Sequence, residues 1–325
     1  MTVSRVINGE KNVKESTREA VLAAVEKLNY SPNLAARSLA GSEQIRIGLI
    51  YSNPSAAYLS RFLLGSLEQA RVNQVQLSIE KCDYDERDEE TALREMIATG
   101  VDGIIISPPL CDSERLLSLL AEADVLAVAV ANWQIPHDIS VVRIDDRAAA
   151  HVMTQHLVSL GHSRIAFISA SPEQKASEQR LLGYRDAMAA AGIAVDEALV
   201  VQGAFSYRSG FAPTEQLLDL PVRPTAIFAG NDDMAAAAVA AAHRRHLIVP
   251  EDLTVCGFDD SDFAQSIWPE LTTIHQPIAA MARAAIDVLV ENIRGQRAGR
   301  AVPKREVLLD YTLVKRDSDA PLLLG

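Results

Sequence analysis

The sequence YSPNLAARSL, at residues 30–39, joins two parts of the chain that differ in charge and in pattern. Pro32 ends any helix that precedes it, and residues 33–39 can form only two helical turns, well short of the roughly 12–15 residues that an isolated helix needs in water. Such a segment needs a partner in order to fold. We interpret it as a hinge that becomes helical when both of its ends are held, with an ordinary interdomain linker as the alternative.

Charge is distributed unevenly on the two sides of this hinge. Residues 1–46 contain seven Lys or Arg and five Asp or Glu, a net charge of +2, whereas the remaining residues have 24 against 38, a net charge of −14. Because an acidic body repels nucleic acid, any DNA contact is expected in the N-terminal part. The chain has 325 residues, 48% of them hydrophobic, which suits two or three domains with sizeable cores.

Several classes of protein are disfavoured by what the sequence lacks. The chain has neither the apolar core of a signal peptide nor an apolar run that could span a bilayer, so a cytoplasmic protein is expected. Cys82, Cys111 and Cys256 are widely spaced, which predicts buried reduced thiols and no metal site. Since no Gly-rich phosphate loop, G-x-S-x-G motif or H-E-x-x-H motif occurs, we predict no catalytic residues, no cofactor and no enzymatic activity.

Beyond residue 45, short apolar runs alternate with amphipathic stretches. Strands are predicted at residues 45–51, 75–81, 103–107, 125–130, 164–169, 226–229 and 253–258. Strands rich in Val, Ile and Leu that are separated by helices indicate parallel sheets covered on both faces. These strands are too many for one small sheet, so the predicted fold is α/β with two Rossmann-like subdomains.

Before the hinge, the pattern predicts two short helices. Apolar residues recurring on one face predict a helix over residues 17–29. The preceding segment, TVSRVING at residues 2–9, can bury its Val and Ile side chains on one side and ends at Asn8 and Gly9. By spacing alone, this segment also fits an amphipathic surface helix.

Together, these segments resemble the LacI/GalR family of bacterial transcription regulators. The proline followed by Ala-Arg-Ser-Leu resembles the hinge helix of that family, and residues 2–8 resemble the second helix of its helix-turn-helix, which enters the major groove. Motifs of the body also recur in the family's order and spacing: LGH at 160–162, RLLGY at 180–184, NDDMA at 231–235, VCGFDD at 255–260 and LTTIHQP at 271–277. The resemblance covers almost the whole chain and implies a periplasmic-binding-protein-like body after an all-α headpiece and hinge helix.

The resemblance implies DNA contacts from the headpiece and from the hinge. The implied residues are Thr2, Ser4, Arg5, Asn8, Asn33, Arg37 and Leu39. Leu39 would wedge between central base steps in the minor groove. A family headpiece has a first helix and a turn before the recognition helix, whereas Met1 falls within the recognition helix itself. We therefore expect a truncated headpiece that binds DNA weakly and a natural start further upstream.

The resemblance also implies how the chain is divided. Residues 1–31 would form the partial headpiece, 32–44 the hinge and linker, and 45–325 the effector-binding and dimerisation domain. The N-terminal subdomain is expected at about 45–144 and 277–310, and the C-terminal subdomain at about 145–275 and 311–325. A homodimer is expected, because PLLLG at 321–325 is too short for a leucine heptad helix.

Polar residues follow several predicted strands, at the edge where open α/β sheets bind ligands. Asp259 follows the strand at 253–258, and Asn231 follows the strand at 226–229, where it can cap the next helix or bind a ligand. Asp259 could serve in acid/base chemistry, bind a metal or accept hydrogen bonds from hydroxyl groups, and the last is favoured because no histidines cluster beside it. Arg180 near the start of a helix needs an anionic or hydroxylated partner, since a cation is unfavourable there.

The resemblance implies that a sugar or sugar derivative binds in a cleft that these residues face. The residues implied to bind it are Tyr51, Asn53, Tyr58, Asn132, Arg180, Phe205, Asn231, Asp259 and Gln276. The family often has Asp at the position of Asn132, so a relative's ligand cannot be transferred directly. The predicted function is a repressor that binds a pseudo-palindromic operator with an affinity set by the effector. The first rival is a periplasmic-type sugar-binding protein, which shares the body and the cleft. The second is an enzyme on the same fold, which the absence of a nucleophile or base arrangement disfavours.

Overall fold

The computed structural model describes residues 6, 14–27, 44–82, 86–133, 139–172 and 174–322. It divides the chain into two compact units, Met1–Gln44 and Ile45–Gly325. In the first unit, helix α1 spans Glu15–Lys27 and Val6 is buried. The hinge and the residues predicted to contact DNA (Thr2, Ser4, Arg5, Asn8, Asn33, Arg37 and Leu39) lie outside the described residues.

The second unit alternates strands and helices along the chain. In order, they are β1 (Arg46–Tyr51), α2 (Ala56–Asn73), β2 (Gln76–Lys81), α3 (Glu86–Ala98), β3 (Gly103–Ile106), α4 (Glu114–Glu122), β4 (Leu126–Val130), β5 (Ser140–Arg143), α5 (Asp146–Ser159), β6 (Ile165–Ser169), α6 (Lys175–Ala190), β7 (Val200–Gln202), α7 (Tyr207–Leu218), β8 (Ala226–Ala229), α8 (Asp232–Arg244), β9 (Thr254–Cys256), α9 (Asp262–Ser266), β10 (Thr273–His275), α10 (Ile278–Arg297), β11 (Glu306–Leu308) and β12 (Thr312–Val314). No helix in the described part of the chain is long and apolar enough to cross a membrane.

The first sheet has six parallel strands in the order β11-β5-β4-β3-β1-β2. Because successive side chains of a strand point to opposite faces, neighbouring residues of this sheet enter different cores. Leu49 and Ile105 join the core that includes residues of α2 and α10, whereas Ile50 and Ile104 join the core that includes residues of α3 and α4. The sheet is therefore covered on both faces, as the apolar runs predict.

The second sheet has four parallel strands in the order β7-β6-β8-β9. Phe167 of β6 and Phe228 of β8 pack with residues of α5 and α6, and Ile168 and Ile227 pack with residues of α7 and α8. A separate antiparallel pair joins β10 and β12. The core that contains Phe167 also contains Ile105 of the first sheet, so one hydrophobic core is continuous across both sheets.

The chain passes between the two sheets three times, after β5, after β10 and after β11. Helix α10 brings the chain back to the first sheet, where it packs against α2 and β4. The predicted α/β fold with two Rossmann-like subdomains is confirmed, whereas the predicted residue limits of the domains stay a prediction. The three cysteines are buried, as expected.

Candidate ligand-binding cleft

A cavity opens where strands of both sheets reach their carboxyl ends. Its empty space of about 500 Å³ includes open solvent at the mouth of the cleft. Its walls come from both subdomains: Asn53, Pro54, Ser55, Tyr58, Pro108, Pro109, Asp112, Ala131, Gln174, Ala176, Arg180, Phe205, Asn231, Asp259 and Gln276. Among the described residues, in the cleft and outside it, no group of His, Cys, Asp or Glu side chains is arranged to hold a metal ion.

Arg180 is held in place by the protein itself. Its Nε donates to Asp146 Oδ1 at 2.8 Å, one terminal nitrogen donates to the Gly230 carbonyl at 2.7 Å, and the other donates to Gln276 Oε1 at 3.2 Å. The guanidinium also lies over the Phe258 ring, 3.6 Å from its centroid. Asp146 thus supplies the anionic partner that a cation near the start of α6 requires.

Asp259 is buried and strained at the wall of the cavity. Its φ is +109°, a region that residues other than glycine rarely adopt. Its Oδ1 lies 3.6 Å from Arg180, too far for a hydrogen bond, and has no hydrogen-bond partner among the described residues. Burial raises the pKa of Asp259 well above its usual value, which the charge of Arg180 only partly offsets. A carboxylate in this state is stabilised by any ligand that donates a hydrogen bond to it.

Asn231 and Phe205 form a second linked pair. Asn231 Oδ1 accepts from the Met234 N–H at 3.0 Å and thereby caps α8, while its Nδ2 donates to the Phe205 carbonyl at 3.0 Å. Phe205 has a φ of +55°, and this contact helps to hold its ring at the cavity wall. Of the two roles left open for Asn231, capping is present, and its side chain also reaches the cavity.

The opposite wall comes from the start of α2 and the loop after β3. Ser55 caps α2 by accepting from the Tyr58 N–H, and its hydroxyl donates to Asp233 Oδ2 at 2.8 Å across the cleft. The Tyr58 hydroxyl has no partner among the described residues, and burial raises its pKa well above the usual value. Asn53 donates to the Pro108 carbonyl at 3.3 Å and so ties the two parts of this wall together.

Asp112 links the two walls. Its Oδ2 accepts from the backbone N–H of Lys175 at 3.1 Å, and its Oδ1 accepts from Asn132 at 3.3 Å. Burial raises the pKa of Asp112 to about 7, with the Lys175 N–H lowering it in part. Sequence reasoning missed this residue, although its position shortly after a buried strand is the same signal that identified Asp259.

Seven of the residues predicted to bind the effector come together in this cleft: Asn53, Tyr58, Arg180, Phe205, Asn231, Asp259 and Gln276. The other two, Tyr51 and Asn132, do not line it. Tyr51 is the last residue of β1 and is half-buried beside Lys81 of β2. Asn132 is fully buried behind the wall, where it donates to the Cys111 carbonyl at 2.5 Å and to Asp112.

The raised pKa of Asp112 predicts a pH dependence of stability. An unfolded Asp has a pKa of about 3.9, so between about pH 4 and pH 7 the folded protein keeps a proton that the unfolded chain has lost. The contribution of Asp112 to the free energy of unfolding should therefore fall as the pH rises through this window, by on the order of 4 kcal/mol, and level off above pH 7. Denaturant unfolding at several pH values would measure this slope.

Asp112→Asn should remove that contribution, because the amide does not titrate. Asp219→Asn is the matched control, since the Arg245 partner lowers the pKa of this exposed carboxyl and leaves it ionised throughout pH 5–8. Identical pH slopes for the wild type and Asp112→Asn would contradict the prediction.

Comparison with known proteins agrees with the fold and the cleft. A family model described as bacterial regulatory proteins, lacI family, matches residues 1–33, and one described as a periplasmic binding protein-like domain matches residues 154–318. The HTH-type transcriptional regulator DegA of Bacillus subtilis (strain 168) is 34% identical over 324 residues, 99% of this chain and 94% of that protein. The ribose operon repressor of Escherichia coli (strain K12) is 32% identical over 295 residues, 90% of this chain and 88% of that protein.

A solved structure, the complex of the transcriptional regulator CelR with cellobiose, has a TM-score of 0.78 and 32% identity, covering 97% of this chain and 94% of that one. The two-sheet body and the cleft between its subdomains are those of a periplasmic-binding-protein-like domain, and the match at residues 1–33 together with the relatives identifies the class as transcription regulators with such a body. The chain belongs to the lacI family of bacterial regulatory proteins. This confirms the predicted family and favours the regulator over the periplasmic-type alternative.

Proposed function

We propose that this regulator represses transcription from a pseudo-palindromic operator, and that a sugar or sugar derivative bound in the cleft sets its operator affinity. The proposal rests chiefly on one observation: three residues that line the cleft carry a buried polar atom with no hydrogen-bond partner among the described residues. These atoms are the Tyr58 hydroxyl, Gln174 Oε1 and Asp259 Oδ1. Since buried polar groups are nearly always paired, such atoms fit a ligand that carries several hydroxyl groups.

The chemistry of the walls supports a sugar. The Phe205 ring offers an apolar surface of the kind that covers one face of a pyranose or furanose ring, and Asp259 accepts hydrogen bonds from hydroxyl groups. One relative is a ribose operon repressor, and a similar solved structure holds cellobiose. The cleft walls belong to both subdomains, so a ligand that contacts both would favour their closure. The proposal includes no catalytic step and no cofactor.

We further propose that the protein acts in the cytoplasm as a homodimer. The body exposes Leu64, Leu67 and Val72 on α2 and Ile79 on the neighbouring β2, which supports a surface that a second copy covers. Operator DNA and the effector are then the other partners. A sedimentation experiment that gives a monomer at micromolar concentration would contradict the dimer.

Operator binding tests the proposed function directly. DNA that binds the protein would be selected from a randomised pool, and its affinity would be measured by fluorescence anisotropy with and without a panel of sugars. An allosteric effector is expected to change operator affinity by about 5–150-fold, which corresponds to roughly 1–3 kcal/mol of coupling. Failure to select any sequence, or an affinity that no small molecule changes, would overturn the proposal.

Asp259→Asn should abolish the effector response and leave operator affinity without effector nearly unchanged. The amide removes the charge that strengthens hydrogen bonds to ligand hydroxyl groups, and it places an N–H beside Arg180. Anisotropy titrations of operator DNA with increasing effector measure this loss, and Asp219→Asn, an equal change at an exposed carboxyl, should titrate normally. If Asp259→Asn responds like the control, the effector binds elsewhere.

Leu39→Ala should weaken operator binding and reduce the bend of the bound DNA. By resemblance to the family, Leu39 wedges into the minor groove, where unstacking a base step costs a few kcal/mol and kinks the duplex. Circularly permuted DNA fragments in gel-shift experiments would report both affinity and bend. An unchanged affinity and bend in a dimeric Leu39→Ala protein would contradict the assignment of residues 33–39 as the hinge helix.

A further inference from the structure

The free hydrogen-bonding atoms of the cleft are not evenly divided between donors and acceptors. When Asp259 is ionised its Oδ1 can only accept, as can Gln174 Oε1, while the Tyr58 hydroxyl can do either. A ligand that pairs with all three must therefore present at least two donors. Hydroxyl and amino groups do so, whereas phosphate and carboxylate groups supply acceptors.

Arg180, the cationic side chain among the described residues that line the cleft, is already paired with groups of the protein. Its guanidinium is buried, donates to Asp146, Gly230 and Gln276, and stacks on Phe258. Asp146 is fully buried and neutralises its charge at 2.8 Å. Among the described lining residues, no cationic side chain is therefore left to pair with an anionic ligand, and the carboxyl groups of Asp112 and Asp259 remain.

Three helices, α2, α6 and α8, begin at the cleft, and helix N-termini ordinarily attract anions. Here the protein's own side chains occupy these positions. Ser55 caps α2 and bonds to the Asp233 carboxylate, Asp112 accepts the first N–H of α6 from Lys175, and Asn231 caps α8. An anionic ligand would have to displace these groups to reach the free amides.

Building on the proposed effector-binding function, we propose that the cleft selects by charge. It takes polyhydroxylated ligands that are neutral or carry an amino group, and it excludes their phosphorylated and carboxylated derivatives. Hydroxyl or ammonium groups donate to Asp259 Oδ1 and Gln174 Oε1, and the apolar face of the ligand lies on Phe205. Asp112, which lies on the opposite wall of the cleft, contributes to the exclusion of phosphorylated and carboxylated ligands.

The state of the two carboxyl groups supports this selection. Burial raises the pKa of both Asp259 and Asp112. Arg180 lowers the pKa of Asp259 in part and Lys175 lowers that of Asp112, while nearby carboxylates, Asp232 and Asp233 for Asp259 and Asp146 for Asp112, act in the same direction as burial. The burial that disfavours these two carboxylates also disfavours an anionic group of a ligand, and a carboxyl that is ionised adds repulsion, because like charges interact strongly in a low-dielectric cavity. A ligand donor has the opposite effect, since it stabilises the ionised carboxylate.

Matched sugars test the proposal on the full chain. Dissociation constants would be measured by calorimetry for D-glucose, D-ribose and cellobiose, for D-glucosamine, and for glucose 1-phosphate, glucose 6-phosphate and ribose 5-phosphate. At least one neutral or amino sugar is expected to bind, and its phosphates should bind about tenfold more weakly or worse. A phosphate that binds as well as its parent sugar, or a panel in which no neutral or amino sugar binds, would overturn the proposal.

Asp112→Asn tests the role of Asp112. It should reduce the ratio between the dissociation constants of a sugar phosphate and its parent sugar by several fold. Asp219→Asn makes the same change of charge away from the cleft lining and should leave the difference unaltered. If Asp112→Asn separates a sugar from its phosphate as strongly as the control does, Asp112 has no role in excluding phosphorylated ligands. The measurements on the wild type test charge selection without either variant.

Operator binding in the same solutions separates this proposal from the proposed function. A phosphorylated sugar that binds tightly and changes operator affinity would overturn charge selection and leave effector control intact. A neutral sugar that binds tightly without changing operator affinity would support charge selection and overturn effector control.

Discussion

Arg180→Ala is expected to lower the free energy of unfolding by roughly 3–5 kcal/mol, the largest effect that we predict for a single substitution. The change leaves Asp146 as a fully buried carboxylate whose other side-chain partner is the Trp133 indole N–H at 3.1 Å. It also removes the donors to Gly230 and Gln276 and the stacking on Phe258. Equilibrium urea unfolding followed by circular dichroism would measure the loss.

Two further variants show how much of the lost stability comes from the unpaired buried charge and how much from lost packing. Arg147→Ala breaks an ion pair with Asp186 in which both side chains are exposed, so it should change the unfolding free energy little. Adding Asp146→Asn to Arg180→Ala should recover part of the loss, because the unpaired carboxylate is then gone. A double variant no more stable than Arg180→Ala would show that packing, not charge, dominates.

Gly183→Ala is expected to lower the free energy of unfolding by about 3 kcal/mol, although in a helix alanine is ordinarily more stable than glycine by about 1 kcal/mol. Gly183 lies in α6 where this helix packs closely on α5. A Cβ at this position would clash with the Arg147 carbonyl and come within 2.9 Å of the His151 nitrogen and 3.0 Å of the Ala150 Cβ. Backbone atoms cannot rotate away, so the two helices would have to separate.

Gly295→Ala is the matched control for this prediction. Gly295 lies in α10, and a Cβ there would meet Val302 at an ordinary van der Waals distance of 3.6 Å. Since no clash opposes it, the higher helix propensity of alanine should raise the free energy of unfolding of this variant by roughly 0.5–1 kcal/mol. Thermal unfolding of the two variants should show shifts of opposite sign, and shifts of the same sign would contradict the proposed close packing of α5 and α6.

The strands that could be predicted from the sequence are those with apolar runs long enough to reveal their burial. The predictions at 45–51, 103–107 and 164–169 each match an observed strand within two residues. The strands β5, β7, β10, β11 and β12 were missed because each includes a polar or charged residue that interrupts an already short apolar run, whereas β8, equally short but wholly apolar, was predicted. They form by pairing with partners that are distant in sequence, as when Glu306 of β11 pairs with Val141 of β5.

The site shows the same division between local signals and tertiary contacts. Asn231 and Asp259 could be predicted because each directly follows a buried strand. Asp112 and Gln174 were missed. Asp112 lies several residues after its strand, and its side chain is held at the cleft by a hydrogen bond to a residue 63 positions away, while Gln174 precedes a helix without a strand beside it. Tyr51 was placed in the cleft from its position at a strand end, but the direction of a terminal side chain depends on packing that the sequence does not reveal.

The triple passage of the chain between the two sheets has a consequence for synthesis on the ribosome. Strand β11 completes the edge of the first sheet at residue 308, and β12 pairs with β10 only at residue 314. Neither half can therefore be finished until nearly all of the chain has been translated. Until then, the unpaired edges of β5 and β10 offer backbone groups to other chains, so the nascent protein is exposed to aggregation from the synthesis of β5 until β11 and β12 have emerged.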